Sequence, residues 1–323
     1  MLTLKRHIIG LRDDARTPML VPSFSSKSGA TRQGQVEVDR LGEVVTSPVL
    51  ISAYDLFYEM VQLPSFAATV FIDSGGYEAL KDVEAARSGD KTAIEEHPWT
   101  EENYRTVLTG LRFRQPFVAV SFDHPNEPLS LPEQIVRAER LFPVRTDLVK
   151  EFLIKPEPTE DYVDSDTIIG QIRRLADFPI IGLTDKELGS TMMERLVCVG
   201  RVRQAFQKLG IETPIHIFGS LDPLTAPLYF LAGADVFDGL AWLRYGFSGG
   251  RAIYPQNFEA VELDLHQRPD GGRLAMWYKN YFALVSLEDE MKRFLKADDF
   301  SCFGPNSDVL RNAWTNLDEN LGA

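Results

Sequence analysis

Short apolar runs and longer stretches of helical periodicity alternate along most of the chain. The apolar runs predict eight strands, at residues 19–22, 49–52, 69–72, 117–122, 152–155, 179–183, 215–218 and 235–237. A strand followed by a helix, repeated many times, is the pattern of a parallel sheet whose strands are joined by crossover helices. Eight such units in 323 residues favour a closed (β/α)8 TIM barrel of the α/β class over an open sheet.

Helical periodicity predicts helices between the strands, among them residues 103–114, 133–141, 187–209 and 224–231. Gly210 and Gly233 follow the last two, and glycine commonly ends a helix because it adopts a left-handed backbone without strain. Pro227 would disturb a helix that begins at Leu224, so we expect this helix to begin late or to be kinked.

The pattern indicates one domain over residues 1–323, since no linker or internal repeat divides the chain. The barrel is expected over about residues 17–240, followed by an insertion at 240–273 and by a C-terminal helix and tail at 274–323. A second insertion is expected at residues 88–100.

Composition and charge narrow the class of protein. Hydrophobic residues make up 44% of the chain and charged residues 25%, which is typical of a globular protein and not of a disordered one. The 34 basic and 47 acidic residues give a net charge of −13, so any contact with nucleic acid must be local. Only two cysteines are present, which excludes a disulfide framework. Because the chain has neither a membrane-length apolar run nor the order of a signal peptide, we expect a cytoplasmic protein with no membrane partner.

Three aspartates follow predicted strands, where a barrel of this kind places its reacting groups. Asp73 follows the third strand, Asp123 the fourth and Asp238 the eighth. Residues two apart share a face of a strand, so Asp238 goes with Val236 and Asp73 with Phe71, and both carboxylates are expected to point toward the barrel axis. A helix cap or a salt bridge would explain any one of them equally well. The three together favour a functional site, because a buried carboxylate is costly unless it is paired or used.

Five segments carry a resemblance to a known family. In chain order they are Thr17-Pro-Met-Leu-Val-Pro22, Asp73-Ser-Gly-Gly-Tyr77, Ser121-Phe-Asp123, Ile181-Gly-Leu183 and Gly233-Ala-Asp-Val-Phe-Asp238. Their order and spacing resemble the segments that define the tRNA-guanine transglycosylase superfamily. The resemblance covers about residues 17–300, because the stretch at 277–284, with Met291, Phe294 and Phe300, is similar to the family's C-terminal helix.

The resemblance implies a role for each matching residue. Asp238 would be the nucleophile that attacks C1′ of a nucleotide and expels its base, and Asp73 would be the general acid/base for the incoming base or water. Asp123 would bind the Watson–Crick edge of the flipped base, and Tyr77 and Phe218 would stack on its two faces. Displacement at an anomeric carbon uses such a pair of carboxyl groups, and a base taken out of its stack needs aromatic surfaces.

The resemblance also places the backbone near Gly182 and Gly219 at the base, where it would close the pocket. Hydrophobic filling remains an alternative for Tyr77 and Phe218. For His216, two residues before Phe218, a satisfied core histidine is the favoured interpretation.

Departures from the family's pattern concern the zinc site and the reading of the base. Members that act on tRNA usually carry three cysteines and a histidine before the C-terminal helix, but residues 240–274 contain no cysteine and Asn280 stands where the histidine is expected. We therefore predict no metal and no cofactor. Where the family has a glutamine and two glycines, this chain has Lys155-Pro156-Glu157. Lys155 either donates to the base or its leaving group, with a pKa lowered by burial, or forms a salt bridge with Asp123.

These departures favour the superfamily's DNA-acting relatives over its tRNA-acting members. We expect cleavage of the N-glycosidic bond of a flipped, modified nucleotide in DNA, with the base either excised, as by a DNA glycosylase, or exchanged. Lys27, Arg32, Arg244 and Arg251 lie in loops after the first and eighth strands and are candidates for contacts with the phosphate backbone. Members of the family often pair up, which leaves a homodimer open, and modified-base chemistry would suit antiviral defence.

Other functions stay open at this point. Base exchange in tRNA would use the same residues, and a barrel enzyme acting on free nucleosides predicts a closed mouth instead of an open cleft flanked by basic residues. A metal-dependent hydrolase is disfavoured because the five histidines offer no His-x-His pair. A binding protein without activity is disfavoured because Asp73 and Asp238 are both present.

Overall fold

Eight parallel strands close into a barrel in which each strand pairs with the next along the chain and the eighth pairs with the first. This architecture comes from a computed structural model that describes residues 2–11, 15–28, 34–79, 97–112, 116–123, 127–263 and 269–322. The strands are β1 Met19–Phe24, β2 Val49–Ser52, β3 Val70–Asp73, β4 Phe117–Val120, β5 Val149–Ile154, β6 Ile180–Thr184, β7 Ile215–Phe218 and β8 Val236–Gly239. The predicted TIM barrel and its eight strands are confirmed.

The largest difference in strand bounds concerns β5, which begins at Val149 and not at the predicted Phe152. Lys150 and Glu151 interrupt the apolar run there. Glu151 nevertheless faces the barrel interior, because its carboxylate pairs with His216 of β7. A buried ion pair therefore concealed the start of this strand from the hydrophobic pattern.

Helices surround the barrel. Their bounds are Gly34–Leu41, Ala53–Phe57, Gly76–Ala79, Glu101–Gly110, Leu131–Leu141, Ser165–Gly170, Ile172–Leu175, Met192–Lys208, Thr225–Leu231, Ala241–Arg244, Pro255–Glu262, Pro269–Ala297 and Ser307–Gly322. Shorter 3-10 turns lie at Phe142–Val144, Asp185–Glu187 and Phe300–Asn306. In the part of the chain that the structure describes, no helix is both long and apolar enough to cross a membrane.

Capping residues explain where the predicted helices begin. The helix predicted at 187–209 starts at Met192, because the Thr191 side chain accepts from the N–H of Glu194 and the Glu194 side chain caps in return. The helix predicted at 224–231 begins at Thr225, one residue after the predicted start, and its N-cap Leu224 provides no side-chain cap. Pro227 is then its third residue, where a missing N–H costs little.

The amino ends of the strands are closed by an ion-pair cluster around Asp235. Arg6 approaches one of its oxygens at 2.6 Å, and Arg203 pairs with the other. Ile8 and Leu11 pack among the side chains that fill the barrel interior. This end of the barrel is therefore sealed, and the opposite end is left for a site.

The residues after β8 form a small layer beside the mouth of the barrel. A short antiparallel hairpin, β9 Gly246–Ser248 and β10 Arg251–Ile253, follows the helix Ala241–Arg244. The helix Pro269–Ala297 starts inside the predicted insertion and carries residues 277–284, Met291 and Phe294, which were expected in the C-terminal helix. Phe300, expected there too, lies beyond its end in a 3-10 turn. The insertion predicted at 88–100 falls mostly on residues 80–96, outside the described part of the chain.

Candidate active site

A cleft of about 1370 Å³ opens at the carboxyl ends of the barrel strands. The three aspartates selected from the sequence, Asp73, Asp123 and Asp238, all lie on its wall, as do Lys155 and Phe218. The cleft therefore brings together side chains from the ends of β3, β4, β5, β7 and β8, which is the arrangement expected of a barrel enzyme.

Asp238 is the last but one residue of β8, lies inside the mouth and is 5% exposed. Its Oδ2 accepts a hydrogen bond from the Ser23 hydroxyl at 2.7 Å, and its Oδ1 accepts from the backbone N–H of Gly219 at 3.1 Å. Ser23 is held in turn by the N–H of Gly239, which donates to its hydroxyl oxygen. These donors fix the plane of the carboxylate, as a nucleophile at an anomeric carbon requires.

His216 lies on the inner side of Asp238, between two carboxyl groups. Its Nδ1 is 2.6 Å from Oε1 of Glu151, and its Nε2 is 3.4 Å from Oδ1 of Asp238. Burial alone would lower the pKa of His216, but the charge of Glu151 and the contact with Asp238 raise it to about 9. His216 is thus a buried core histidine paired through Nδ1, as favoured from the sequence, and it also touches the candidate nucleophile.

Asp73 ends β3 on the same cleft, and its Oδ2 accepts from the backbone N–H of Gly75 at 3.1 Å. Burial is the main reason why the pKa of Asp73 is raised well above its usual value. The negative charges of Glu78 and Asp123 raise it further. Asp73 therefore keeps its proton to higher pH than an ordinary aspartate, which suits it to donating a proton to a leaving group and recovering one afterwards.

The two glycines after β3 are needed for different reasons. Gly75 has a φ of +90°, and a Cβ atom there would lie 2.8 Å from Cβ of Tyr54. A Cβ atom at Gly76 would lie 3.0 Å from Oδ2 of Asp123, whose Oδ1 accepts a hydrogen bond from the Ser74 hydroxyl. The turn after β3 therefore closes against Asp123 and holds that carboxylate in place.

Lys155 links two acidic side chains across the cleft wall. Its Nζ lies 2.7 Å from Oε1 of Glu187 and 3.7 Å from Oδ2 of Asp123. The salt bridge to Asp123 was one of the two alternatives, whereas Glu187 was not foreseen because it lies in a turn beyond β6. Burial alone would lower the pKa of Lys155, but the charges of Asp123 and Glu187 raise it above its usual value. The alternative of a lowered pKa is therefore wrong, and Lys155 is a cation at neutral pH.

The two aromatic residues expected to stack on a base both line the cleft. Tyr77 is 39% exposed at the rim, with the Nζ of Lys27 5.1 Å from its ring centroid. Phe218 lies deeper and stacks on the ring of His216, with centroids 4.1 Å apart and planes 29° from parallel. Stacking of either ring on a base stays a prediction.

The two glycines expected at the pocket differ in position. Gly219 lines the cleft with a φ of +84°, and its N–H binds Asp238. Gly182 does not line the cleft but lies under the ring of Phe218, where an added Cβ atom would be 2.6 Å from Cε2 of that ring. The expectation that Gly182 closes the pocket with its own backbone is corrected, because its effect on the cleft is transmitted through Phe218.

The basic residues proposed to contact a phosphate backbone also differ in position. Lys27 is only 5% exposed, and its Nζ donates to the carbonyl oxygen of Tyr77 at 2.9 Å. The ammonium group is turned into the rim of the cleft, and its contact with a phosphate stays a prediction. Arg244 lines the cleft and donates to the Tyr77 hydroxyl at 2.9 Å. Arg251 is exposed on β10, away from the cleft wall, and Arg32 lies outside the described residues.

Buried carboxyl groups behind the rim were not foreseen from the sequence. Asp55 accepts hydrogen bonds from the N–H of Ser26 at 2.7 Å and from its hydroxyl at 2.5 Å, and Glu37 accepts from the Ser28 hydroxyl. Burial, with the charge of Glu78 added, raises the pKa of Asp55 to about 7. Burial likewise raises the pKa of Glu37 to about 7. The serine-rich segment at 23–28 was the available signal, and serine is equally common in plain loops.

The segment where tRNA-acting members of the resembled family carry zinc is held here by an amide. Asn280 donates to the carbonyl oxygens of Trp242 at 2.6 Å and Tyr245 at 2.7 Å, and it accepts from the N–H of Phe247 at 2.7 Å. These residues do not provide a zinc ligand set. Among the described residues, no group of three or more His, Cys, Asp and Glu side chains is placed to hold a metal ion.

No protein-family model matches the chain, and no curated protein matches it at a significant level. The likeness to the tRNA-guanine transglycosylase superfamily therefore rests on the sequence motifs alone.

Proposed function

We propose that this protein cleaves the N-glycosidic bond of a flipped, modified nucleotide in DNA, with Asp238 as nucleophile and Asp73 as general acid/base. The observation that carries the proposal is the meeting of these two carboxyl groups on one cleft in different environments. Asp238 accepts hydrogen bonds from a hydroxyl and a backbone N–H, whereas the pKa of Asp73 is raised well above its usual value. Carboxyl groups set apart in this way can divide the roles of nucleophile and acid.

In the first step, an oxygen of Asp238 forms a bond to C1′ of the nucleotide as the bond from C1′ to the base breaks. The electron pair of that bond leaves with the base, which takes the proton of Asp73. The transition state has oxocarbenium character, which the adjacent carboxylate stabilises.

In the second step, water or a second base attacks C1′, and the electron pair of the ester bond returns to Asp238. Asp73, now a carboxylate, takes the proton of the attacking group and is ready for another cycle. Attack by water leaves an abasic site, and attack by a base completes an exchange.

Recognition of the base is proposed for the residues that line the cleft around these two acids. Asp123 is held by Ser74 and lies beside the cation of Lys155, so a base edge meets both an acceptor and a donor there. Tyr77 and Phe218 supply aromatic surfaces at the rim and in the depth of the cleft. Such a pattern suits a polar heterocycle.

The size of the cleft supports a polymer or an enlarged base over a free nucleoside. Its volume of about 1370 Å³ exceeds the roughly 300–1,000 Å³ of ordinary small-molecule sites. Arg244 at the rim and Arg251 on β10 offer positive charge to a phosphate backbone. DNA is favoured over tRNA because residues 240–274 contain no cysteine for a zinc site. A zinc-free place in the transglycosylase superfamily and a cytoplasmic location belong to the same proposal.

The test is to incubate the protein with unmodified DNA, DNA carrying modified bases, and tRNA, each with and without isotope-labelled free bases. Mass spectrometry then identifies what is released and what is incorporated. Abasic sites that form without an added base indicate hydrolysis, whereas incorporation of label indicates exchange.

Asp238→Ala should abolish base release, and Asp166→Ala is the matched control because Asp166 pairs with Arg201 on the outer surface. Release that persists in Asp238→Ala would remove Asp238 from the mechanism. Release from tRNA alone would overturn the choice of DNA.

A further inference from the structure

Three side chains lie next to one another in the barrel interior, and the last of them is Asp238. Glu151 comes from β5, His216 from β7 and Asp238 from β8. The ring of His216 bridges the two acids, with 2.6 Å from Nδ1 to Oε1 of Glu151 and 3.4 Å from Nε2 to Oδ1 of Asp238. Gly182 of the intervening strand β6 leaves room for these side chains, because a Cβ atom there would lie 3.3 Å from Oε1 of Glu151.

Aromatic packing fixes the plane of the His216 ring. Phe218 stacks on it at 4.1 Å between centroids, and Phe71 meets it edge-on at 5.8 Å. His216 and Glu151 are both 0% exposed. The ring is therefore held in one orientation, with its two nitrogens directed at the two carboxyl groups.

The charges around this ring favour its protonated form. Nδ1 is hydrogen-bonded to Glu151, and Nε2 lies 3.4 Å from Oδ1 of Asp238 without a hydrogen bond, so a positively charged ring would have a carboxyl oxygen beside each nitrogen. Within the described part of the chain, Oε2 of Glu151 accepts no hydrogen bond, so His216 provides the compensation for that buried charge. Consistent with this, the pKa of His216 is raised to about 9 despite its burial.

We propose that Glu151 and His216 are positioning residues for Asp238. Glu151 holds the His216 ring in its charged form, and the positive charge of that ring, with Nε2 3.4 Å from Oδ1, stabilises the Asp238 carboxylate. This inference rests on the proposed function. We call Glu151, His216 and Asp238 the relay, and the first two of these residues lie outside the five family-like segments. The logic is that of a buried acid that orients a histidine in a catalytic triad, here applied to an acidic nucleophile.

The relay acts on both steps of the proposed reaction. Before attack on C1′, the positive charge of the ring stabilises the negative charge of the Asp238 nucleophile. When the ester bond between C1′ and Asp238 breaks, the electron pair returns to that carboxylate beside a positive ring. The departing carboxylate is thereby stabilised without any proton leaving His216.

The first measurement is the charge state of His216. Nitrogen-15 NMR of the imidazole rings monitors it from pH 5 to pH 10. The signal is assigned by its loss in His216→Gln. We expect both ring nitrogens to be protonated at pH 7.5 in the unchanged protein, and the titration to move to lower pH in Glu151→Gln. Glutamine keeps the size of the side chain and an acceptor for Nδ1–H, but it removes the charge.

The second measurement is the pH profile of base release. The titratable groups facing His216 are Glu151 on β5 and Asp238 on β8, and Asp73 on β3 interacts electrostatically with Asp238. In Glu151→Gln we expect kcat at pH 7.5 to fall by about 100-fold, with KM little changed and with activity recovering toward lower pH as the ring regains its proton. In His216→Gln we expect the same loss without recovery at any pH.

Glu288→Gln is the matched control, since this carboxyl group lies outside the cleft, accepts from the N–H of Leu20 and pairs with Lys292. It should leave the pH profile unchanged. A neutral His216 at pH 7.5, or a Glu151→Gln variant with the profile of the unchanged protein, overturns the relay while the glycosidic activity stands. If the protein without substitutions releases no base from any substrate, that result overturns the proposed function instead. The catalytic part of this inference then fails with it.

Discussion

A Cβ atom added at Gly182 would lie 2.6 Å from Cε2 of Phe218, so the absence of a side chain on β6 sets the position of a ring on β7. Phe218 in turn covers His216 and forms part of the cleft wall. The glycine that the family resemblance assigned to the base itself therefore acts one layer below it.

Gly182→Ala is expected to push Phe218 toward the cleft. Overpacking of this kind costs about 1–3 kcal/mol of unfolding free energy, and the displaced ring should raise the KM for base release. The measurements are urea unfolding and steady-state kinetics. Gly170→Ala is the control, because no atom lies within 4 Å of the position that its Cβ would take.

The opposite result would be equally clear. If Gly182→Ala matches Gly170→Ala in stability and kinetics, Phe218 does not depend on the space at Gly182. Phe218→Leu combined with Gly182→Ala should recover part of the lost stability, because the smaller side chain relieves the contact.

The barrel could be predicted from the sequence because its strands bury both faces and read as continuous apolar runs. The exception was β5, where Glu151 interrupts such a run. Periodicity scores that residue as polar, and only the partner on β7 explains why it faces inward. At the mouth of the barrel, by contrast, strand ends and motifs were enough to identify Asp73, Asp123 and Asp238 from the sequence.

What the sequence could not supply were contacts between residues far apart along the chain. Ser23 reaches Asp238 because β1 pairs with β8, and Glu187 reaches Lys155 from a turn beyond the next strand. Lys27 shows the reverse case, since a lysine in a polar loop predicts an exposed cation but its Nζ is turned into the rim. Side-chain direction in loops depends on tertiary contacts that no local pattern encodes.

The second prediction concerns stability against pH through Asp55. Its pKa is raised from an ordinary 3.8 to about 7 in the folded protein by burial and by Glu78. Between about pH 4 and pH 7 the folded state thus binds a proton that the unfolded state releases. The contribution of Asp55 to the free energy of unfolding must fall as pH rises through this window, by an amount on the order of 4 kcal/mol, and level off above it.

Asp55→Asn should reduce that slope and stabilise the protein at pH 8, because an amide can still accept from the N–H of Ser26 and donate to its hydroxyl oxygen. Urea unfolding from pH 5 to pH 8 measures the slope. Asp39→Asn, at an exposed position on the helix Gly34–Leu41, should leave it unchanged. An equal slope in Asp55→Asn and the unchanged protein would show that this carboxyl group ionises normally.

The last prediction concerns Lys155, which lies between Glu187 and Asp123 as a cation. Lys155→Met removes the positive charge and leaves two carboxylates facing each other, so Asp123 loses the partner that holds it ready for a base edge. We expect kcat/KM for base release to fall by about 10- to 100-fold, the effect of losing a charged hydrogen bond.

Lys155→Arg should retain more activity because it keeps the charge, although the guanidinium has a different shape. Lys150→Met removes a lysine from the same strand outside the cleft lining and should change kcat/KM by less than about twofold. Full activity in Lys155→Met would mean that Asp123 and Lys155 do not act together on the base.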